Sequence, residues 1–531
     1  MWYFCGEISI ASMKYPIGIQ TFEELRTENY LYVDKTRLVR KLVETGKYYF
    51  LSRPRRFGKS LLISTLKAYF EGKRDLFHGL AMDTDEMEWA KRPVLHLDLN
   101  AERFSDSSAL DAILNRHLSL WESYYGKDDY EDTLSGRFAS VIRRAHEKSS
   151  QKVAILVDEY DKPMLQAIDN PELLDTYRTM LKAFFGVMKS CDGHIKFALL
   201  TGVTKFSKVS VFSDLNNLTD ISLDDRYQEL CGVTEQELHD NLHEVIEQLA
   251  VKNKMTTDEC YAELKRRYDG YHFCEDLDTP GMYNPFSILN TMDKQKFSSY
   301  WFETGTPDFL VKVIKNCRFR LDNLVQDPVT ADLLGGIDTL NTTPLPLLFQ
   351  SGYLTIKEFN DEFREYTLDF PNSEVEEGFV NYLSRYYTRT ESHSSSNGQF
   401  FVSNFVREIR AGNTDSFMQR LDTFLADGDY QIAGDSELYF QNVMYIVFKM
   451  LGFYTQVERH TSNGRVDVIL QTPDYVYIFE LKLDGTAKEA LEQIENKGYA
   501  APFALDERKV IKVGANFCSE TRHFKEWLIG C

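Results

Sequence analysis

The sequence lacks a surplus of positive charge: 61 Lys and Arg stand against 81 Asp and Glu, for a net charge of −20. Binding along a phosphate backbone rewards clustered Lys and Arg, so a general nucleic-acid binder is excluded. Any nucleic-acid contact must come from local basic patches or be bridged by divalent metal. No apolar run reaches the roughly 20 residues of a membrane-spanning helix, and no membrane partner is expected. The eight cysteines are scattered and none forms a C-x-x-C pair. That pattern suggests neither a zinc site nor a disulfide framework; reduced thiols in a cytoplasmic protein are the plain reading. No internal repeat has a fixed period, and no long segment is low in complexity. Residues 1–12 are mildly apolar but lack a basic n-region and an adequate apolar core, so a signal peptide is not expected. Residues 1–13 read as an extension of little structural weight.

What is present is enough apolar material for several cores in 531 residues. Residues 14–233 alternate short apolar runs with amphipathic stretches. Strands are expected at 48–51, 94–99, 153–157 and 195–200, with helix-length segments between them. Crossover connections of that length imply an α/β domain with a mostly parallel sheet. Residues 234–387 read as mainly helical, opened by the capping box Thr234 and Glu237, with a short strand pair at 347–356 and 365–370. Residues 388–399, rich in Ser, Thr and Asn, look like an exposed loop opening a linker and helix over 388–430. Residues 431–531 return to a mixed pattern: helix 436–450, strands 465–470 and 475–483, helix 486–499, strand 510–515.

Two segments carry chemistry. Ser52-Arg53-Pro54-Arg55-Arg56-Phe57-Gly58-Lys59-Ser60, with Leu61 following, lies between a strand and a helix, where a phosphate-binding loop belongs. Gly58 lets the backbone approach phosphate, Lys59 reaches the β- and γ-phosphates, and Ser60 offers an oxygen to Mg²⁺. The helix N-terminus supplies free N–H groups and a positive dipole end. One departure is that Arg53 stands where the first glycine of G-x-x-x-x-G-K-[ST] is expected. A bare G-K-S is weak, and a basic surface turn is its bland alternative. The strand Val153-Ala154-Ile155-Leu156-Val157 ending in Asp158-Glu159 strengthens it. Asp158 would hold the Mg²⁺ of ATP and Glu159 would polarise the attacking water. Asp161 and Lys162 more simply shape the turn. Thr201, ending a neighbouring strand, is the candidate γ-phosphate sensor; a helix cap is its alternative. Arg53, Arg55 and Arg56 would bind phosphate or approach a neighbouring subunit, which leaves a homo-oligomer open.

The second segment is Arg465-Val466-Asp467-Val468-Ile469-Leu470, a turn at Pro473-Asp474, and the strand containing Glu480-Leu481-Lys482. Period two puts Glu480 and Lys482 on one face, and a hairpin would bring Asp467 beside Glu480. An unpaired charge in an apolar strand is expensive. Two carboxylates suit Mg²⁺ or Mn²⁺, and Lys482 would position or help deprotonate a water. The alternative is a surface ion pair on a charged edge strand. Glu437 and Gln493 are further candidates on flanking helices, with Lys497 and Tyr499 following Gln493.

In combination these motifs resemble a bacterial AAA-ATPase-like family that commonly ends in a PD-(D/E)XK nuclease domain. The resemblance rests on R-P-R-R-F-G-K-S at 53–60, Y-V-D-K-T at 32–36 and V-D-E-Y-D-K-P at 157–163. Further like segments are Y-D-G-Y-H-F at 268–273, Y-N-P-F-S at 283–287 and F-Q-S-G-Y-L at 349–354. It implies an AAA-like P-loop NTPase domain, a lid or winged-helix-like helical middle, and a small restriction-endonuclease-like α/β domain. In that family Arg at position 53 is usual. Asp467, Glu480 and Lys482 would fill the nuclease triad, although Val466 stands where its Pro is expected, and Gln493 with Tyr499 resembles the helix of RecB-like nucleases. The implied function is ATP binding and hydrolysis coupled to metal-dependent cleavage of nucleic acid, DNA rather than RNA. The rival is a nucleotide-dependent oligomerisation switch whose C-terminal domain binds nucleic acid without cutting it.

Overall fold

A computed structural model of the chain describes residues 14–530 apart from 101–102, 129, 207–216, 304–312, 315–316, 326–327, 335, 337–342, 388–396, 427–435 and 463–464. The chain forms two compact units, Met1–Phe309 with Pro328–Val375, and Leu310–Asp327 with Glu376–Cys531.

The first unit is built on a five-stranded sheet of β1 (Tyr48–Ser52), β2 (Val94–Asp98), β3 (Val153–Asp158), β4 (Ile195–Gly202) and β5 (Thr219–Asp220). The order is β2-β3-β4-β1-β5 and every pairing is parallel. β3 is buried along its whole length, as expected of an Ala/Val/Ile/Leu strand covered on both faces. β4 lies between β1 and β3, with Leu51 opposite Thr201 and Val157 opposite Leu200. The carboxyl ends of the three central strands are therefore level, which is where ligands bind in open α/β sheets.

The capping box forms, with Thr234 and Glu237 exchanging both hydrogen bonds at the start of helix Glu235–Asn253. That helix, Thr257–Tyr268 and Pro285–Lys294 share a core of Leu238, Leu242, Ile246, Leu264 and Ile288. The strand reading of 347–356 is corrected in part. Leu345–Gln350 is a short helix with Pro346 in its first turn, and the strand begins only at Thr355. A small antiparallel sheet follows, order β6-β8-β7, from β6 (Val329–Thr330), β7 (Thr355–Asn360) and β8 (Glu365–Asp369).

The second unit carries a sheet of order β13-β12-β11-β10-β9. Its strands are β9 (Gln456–Ser462), β10 (Arg465–Gln471), β11 (Tyr475–Leu483), β12 (Lys509–Cys518) and β13 (His523–Gly530). Helix Ala487–Asn496 makes the crossover between the parallel pair β11 and β12. β9 and β13 are strands that the sequence pattern did not reveal. The loop reading of 388–399 also needs correction at its end, because helix Asn397–Arg410 starts there; residues 388–396 lie outside the described residues.

Candidate active sites

The turn from β1 into helix Lys59–Phe70 bends through two left-handed residues, Arg56 (φ 67°) and Gly58 (φ 92°). Only the second is a glycine; a non-glycine residue in that region is strained by about 1 kcal/mol or more. Lys59 is buried, and its Nζ donates to the carbonyls of Arg53 (2.9 Å) and Pro54 (3.0 Å). Burial lowers its pKa, opposed by Glu159, Asp158 and Asp161.

Asp158, at the end of β3, accepts a hydrogen bond from the Thr201 hydroxyl (2.7 Å), which fixes its carboxylate. Glu159 follows with φ 52°, another strained non-glycine residue. Burial pushes its pKa up; the largest opposing influence is Lys59. Asp161 is buried and takes hydrogen bonds from Val203 N (3.0 Å), Thr204 N (2.6 Å) and Thr204 Oγ1 (2.7 Å). It locks the acidic turn to the end of β4. Lys162 donates to the carbonyl of Asn100 (2.6 Å).

Arg53 requires a correction. Its side chain is 1% exposed and donates to the carbonyls of Ser52 (3.0 Å), Ser222 (2.6 Å) and Tyr227 (3.3 Å). Its guanidinium also lies 4.2 Å from the Phe273 ring centre. Burial lowers its pKa to about 10, so it stays charged at neutral pH. With those donors committed to carbonyls, Arg53 is a strut under the loop rather than a phosphate ligand. Phe57 is likewise buried, edge-on to Tyr271 and Phe273. Arg56 lies over Phe286 (4.6 Å), and the carbonyl of Arg55 accepts from Trp301 Nε1 (3.0 Å). Gly352 (φ 88°) packs so close to Pro54 that an added Cβ would stand 2.6 Å from its ring. The segments 268–273, 283–287 and 349–354 thus meet around one loop.

In the second unit, Asp467 on β10 pairs in register with Glu480 on β11; the Asp467 side chain lies outside what the structure describes. Glu480 is 0% exposed. Lys482 Nζ donates to Glu480 Oε1 (3.2 Å) and to Gln493 Oε1 (2.7 Å), so it joins the strand to helix Ala487–Asn496. Lys497 lies over Tyr499 (5.7 Å), just past that helix. Glu437, exposed on the first turn of helix Ser436–Gly452, accepts from Gln441 (3.2 Å). A carboxylate buried this completely needs hydrogen-bond donors or cations against it; Lys482 is one, and the carboxylate's hard oxygens also suit a divalent ion.

Residues 16–212 match the family described as predicted AAA-ATPase, and residues 435–527 match the PD-(D/E)XK nuclease superfamily. An uncharacterized protein from the vnfD 5′ region of Azotobacter chroococcum mcd 1 is 36% identical over 522 residues, spanning 96% of this chain and 97% of its own. The chain belongs to this family of AAA-ATPase-like proteins with a C-terminal PD-(D/E)XK domain. A solved structure of the Aeropyrum pernix ORC2 protein, in ADPNP–ADP complexes, aligns at 11% identity over 69% of this chain and 92% of its own, with a TM-score of 0.17. Among the described residues no helix is long and apolar enough to cross a membrane.

Sequence reasoning passed over Tyr160, Trp301 and Glu374 as parts of the AAA-like unit's site. Tyr160, in the V-D-E-Y-D-K-P segment, donates to the carbonyl of Thr204 (3.0 Å) and accepts from Phe206 N (3.0 Å). Its place in that motif was the available signal. Trp301 and Glu374 lie in no motif and had none.

Proposed function

We propose that this protein binds and hydrolyses ATP in its first unit and cuts nucleic acid, DNA in the first place, in its second, with the nucleotide governing the cut. The observation that carries the reading is the gathering of Lys59, Asp158, Glu159 and Thr201 at the carboxyl edge of one parallel sheet. Lys59 exchanges its two loop carbonyls for phosphate oxygens. Ser60 and Asp158 would hold Mg²⁺ beside them, with Thr201 keeping the Asp158 carboxylate oriented. Glu159 takes a proton from water as the water oxygen bonds to the γ-phosphorus and the bond to the β-γ bridging oxygen breaks. ADP and phosphate are the products.

At the second site, Asp467 and Glu480 would hold Mg²⁺ or Mn²⁺. A divalent ion held there would stabilise charge on the scissile phosphate and make the attacking water more acidic. Lys482, anchored by Gln493, orients that water and offsets negative charge. The reading is tested by incubating purified protein with labelled single- and double-stranded DNA and RNA, with Mg²⁺ or Mn²⁺, with and without ATP. Metal-dependent products and ATP binding that Lys59→Ala abolishes are expected. Nucleotide-dependent changes in mass or nucleic-acid binding without products under any metal would favour the switch instead.

A further inference from the structure

Beyond the groups that would touch nucleotide, one set of contacts joins the phosphate-binding loop to the places where the chain leaves the first unit. Three successive carbonyls of the loop are occupied. Those of Arg53 and Pro54 accept from Lys59 Nζ, and that of Arg55 accepts from Trp301 Nε1 (3.0 Å). Trp301 is buried, with its ring against Tyr353 (5.4 Å between centres). Its backbone N–H donates to Glu374 Oε1 (2.8 Å), while Glu374 Oε2 accepts from Ser287 Oγ (2.7 Å). Glu374 is 1% exposed.

The position of these residues along the chain gives the contacts meaning. The first unit comprises Met1–Phe309 and Pro328–Val375, and the chain passes into the second unit beyond Phe309 and again beyond Val375. Trp301 stands shortly before the first of these passages, and Glu374 is the residue before Val375. The clasp joins Trp301 and Glu374, one near the end of each stretch of the first unit, to one carbonyl of the loop.

We propose that Trp301, seated by Glu374, senses whether the loop holds phosphate and passes that state to the two segments that run into the second unit. This rests on the reading of the loop as a nucleoside triphosphate site. Phosphate oxygens draw Lys59 off the carbonyls of Arg53 and Pro54. Those carbonyls lose their donor and turn toward other partners, and the adjoining peptide at Arg55 turns with them. Its hydrogen bond to Trp301 is strained or exchanged, and the clasp to Glu374 shifts. Trp301 and Glu374 are positioning residues, acting through the Arg55 carbonyl.

The test is hydrogen exchange of the full chain with and without a slowly hydrolysed ATP analogue and Mg²⁺, alongside binding of the same analogue. Wild type is expected to change protection in the loop, at 300–303 and at 373–387. Trp301→Phe keeps the ring against Tyr353 but removes the N–H donor. It is expected to bind the analogue within about tenfold of wild type, the scale of one hydrogen bond, and to lose the change at 373–387. Glu374→Gln keeps an acceptor for Trp301 N and should retain that change, whereas Glu374→Ala should lose it. A full response at 373–387 in Trp301→Phe overturns the proposal. Wild type that does not bind the analogue overturns both the proposal and the reading of the loop, and the binding measurement tells these two outcomes apart.

Discussion

Replacing Glu374 by Gln should stabilise the protein in alkaline solution and leave it nearly unchanged in acid. Burial pushes the Glu374 carboxyl up to about 7, against a usual value of 4.5. The hydrogen bonds from Ser287 and from the backbone at Trp301 and Tyr300 pull the other way, as does the more distant Arg267. Tyr268 and Tyr271 also face it, and its charge adds to their own raised values. A folded-state pKa above the unfolded one means that stability is complete below about 4.5 and is lost as the pH rises through about 7. The gap of about 2.5 units corresponds to roughly 3 kcal/mol. Gln cannot ionise, still accepts from Trp301 N, and can donate to Ser287 if that hydroxyl turns. Calorimetric melting from pH 5 to 8.5 should therefore show the Gln variant pulling ahead of wild type as the pH rises. In a unit this large the lead should reach several degrees above pH 8. A difference between the two proteins that is the same at pH 5 and pH 8.5 would refute the assignment of a buried, proton-binding carboxyl.

Three further outcomes follow from the same geometry. Thr201→Val removes the hydrogen bond to the Asp158 carboxylate, worth about 1.5–3 kcal/mol for a charged acceptor, so Mg-ATP turnover should fall roughly ten- to a hundredfold; a coupled phosphate-release assay measures it. Asp161→Ala leaves three buried donors at Val203 and Thr204 without their acceptor, and chemical denaturation should report a loss of several kcal/mol. Gln493→Ala frees Lys482 on one side, and cleavage should slow by about ten- to a hundredfold, as for other groups that orient a metal site from behind it, with ATP turnover unchanged.

The sequence made the strand ends legible. An all-apolar run closing on Asp158-Glu159 was enough to place a buried strand with its acids at the carboxyl end, and two-residue periodicity with a Pro-Asp turn was enough to pair Asp467 with Glu480 in register. What stayed hidden depended on contacts far apart in the chain. Arg53 looks like a phosphate ligand because its neighbours are basic; its burial is decided by carbonyls at Ser222 and Tyr227 and a ring at Phe273. Nothing local marks Trp301 as the partner of Arg55 or Glu374 as the partner of Trp301. β9 escaped notice because Gln456–Ser462 is largely polar, and β13 because its alternation is interrupted by exposed apolar residues, Leu528 and Ile529. The apolar run before Thr355 was ambiguous between helix and strand by length alone, and Pro346 in a first helical turn resolved it.

ATP turnover and DNA cleavage followed together in one reaction, for wild type, Lys59→Ala and Glu480→Ala, test the two-site account most directly. Glu480→Ala should lose at least about a hundredfold in cleavage, the scale of several kcal/mol supplied by a metal ligand, while hydrolysing ATP as wild type does. Lys59→Ala should lose ATP turnover, and its cleavage should no longer respond to ATP. Undiminished cutting by Glu480→Ala, or cutting by Lys59→Ala that still follows ATP, would contradict it.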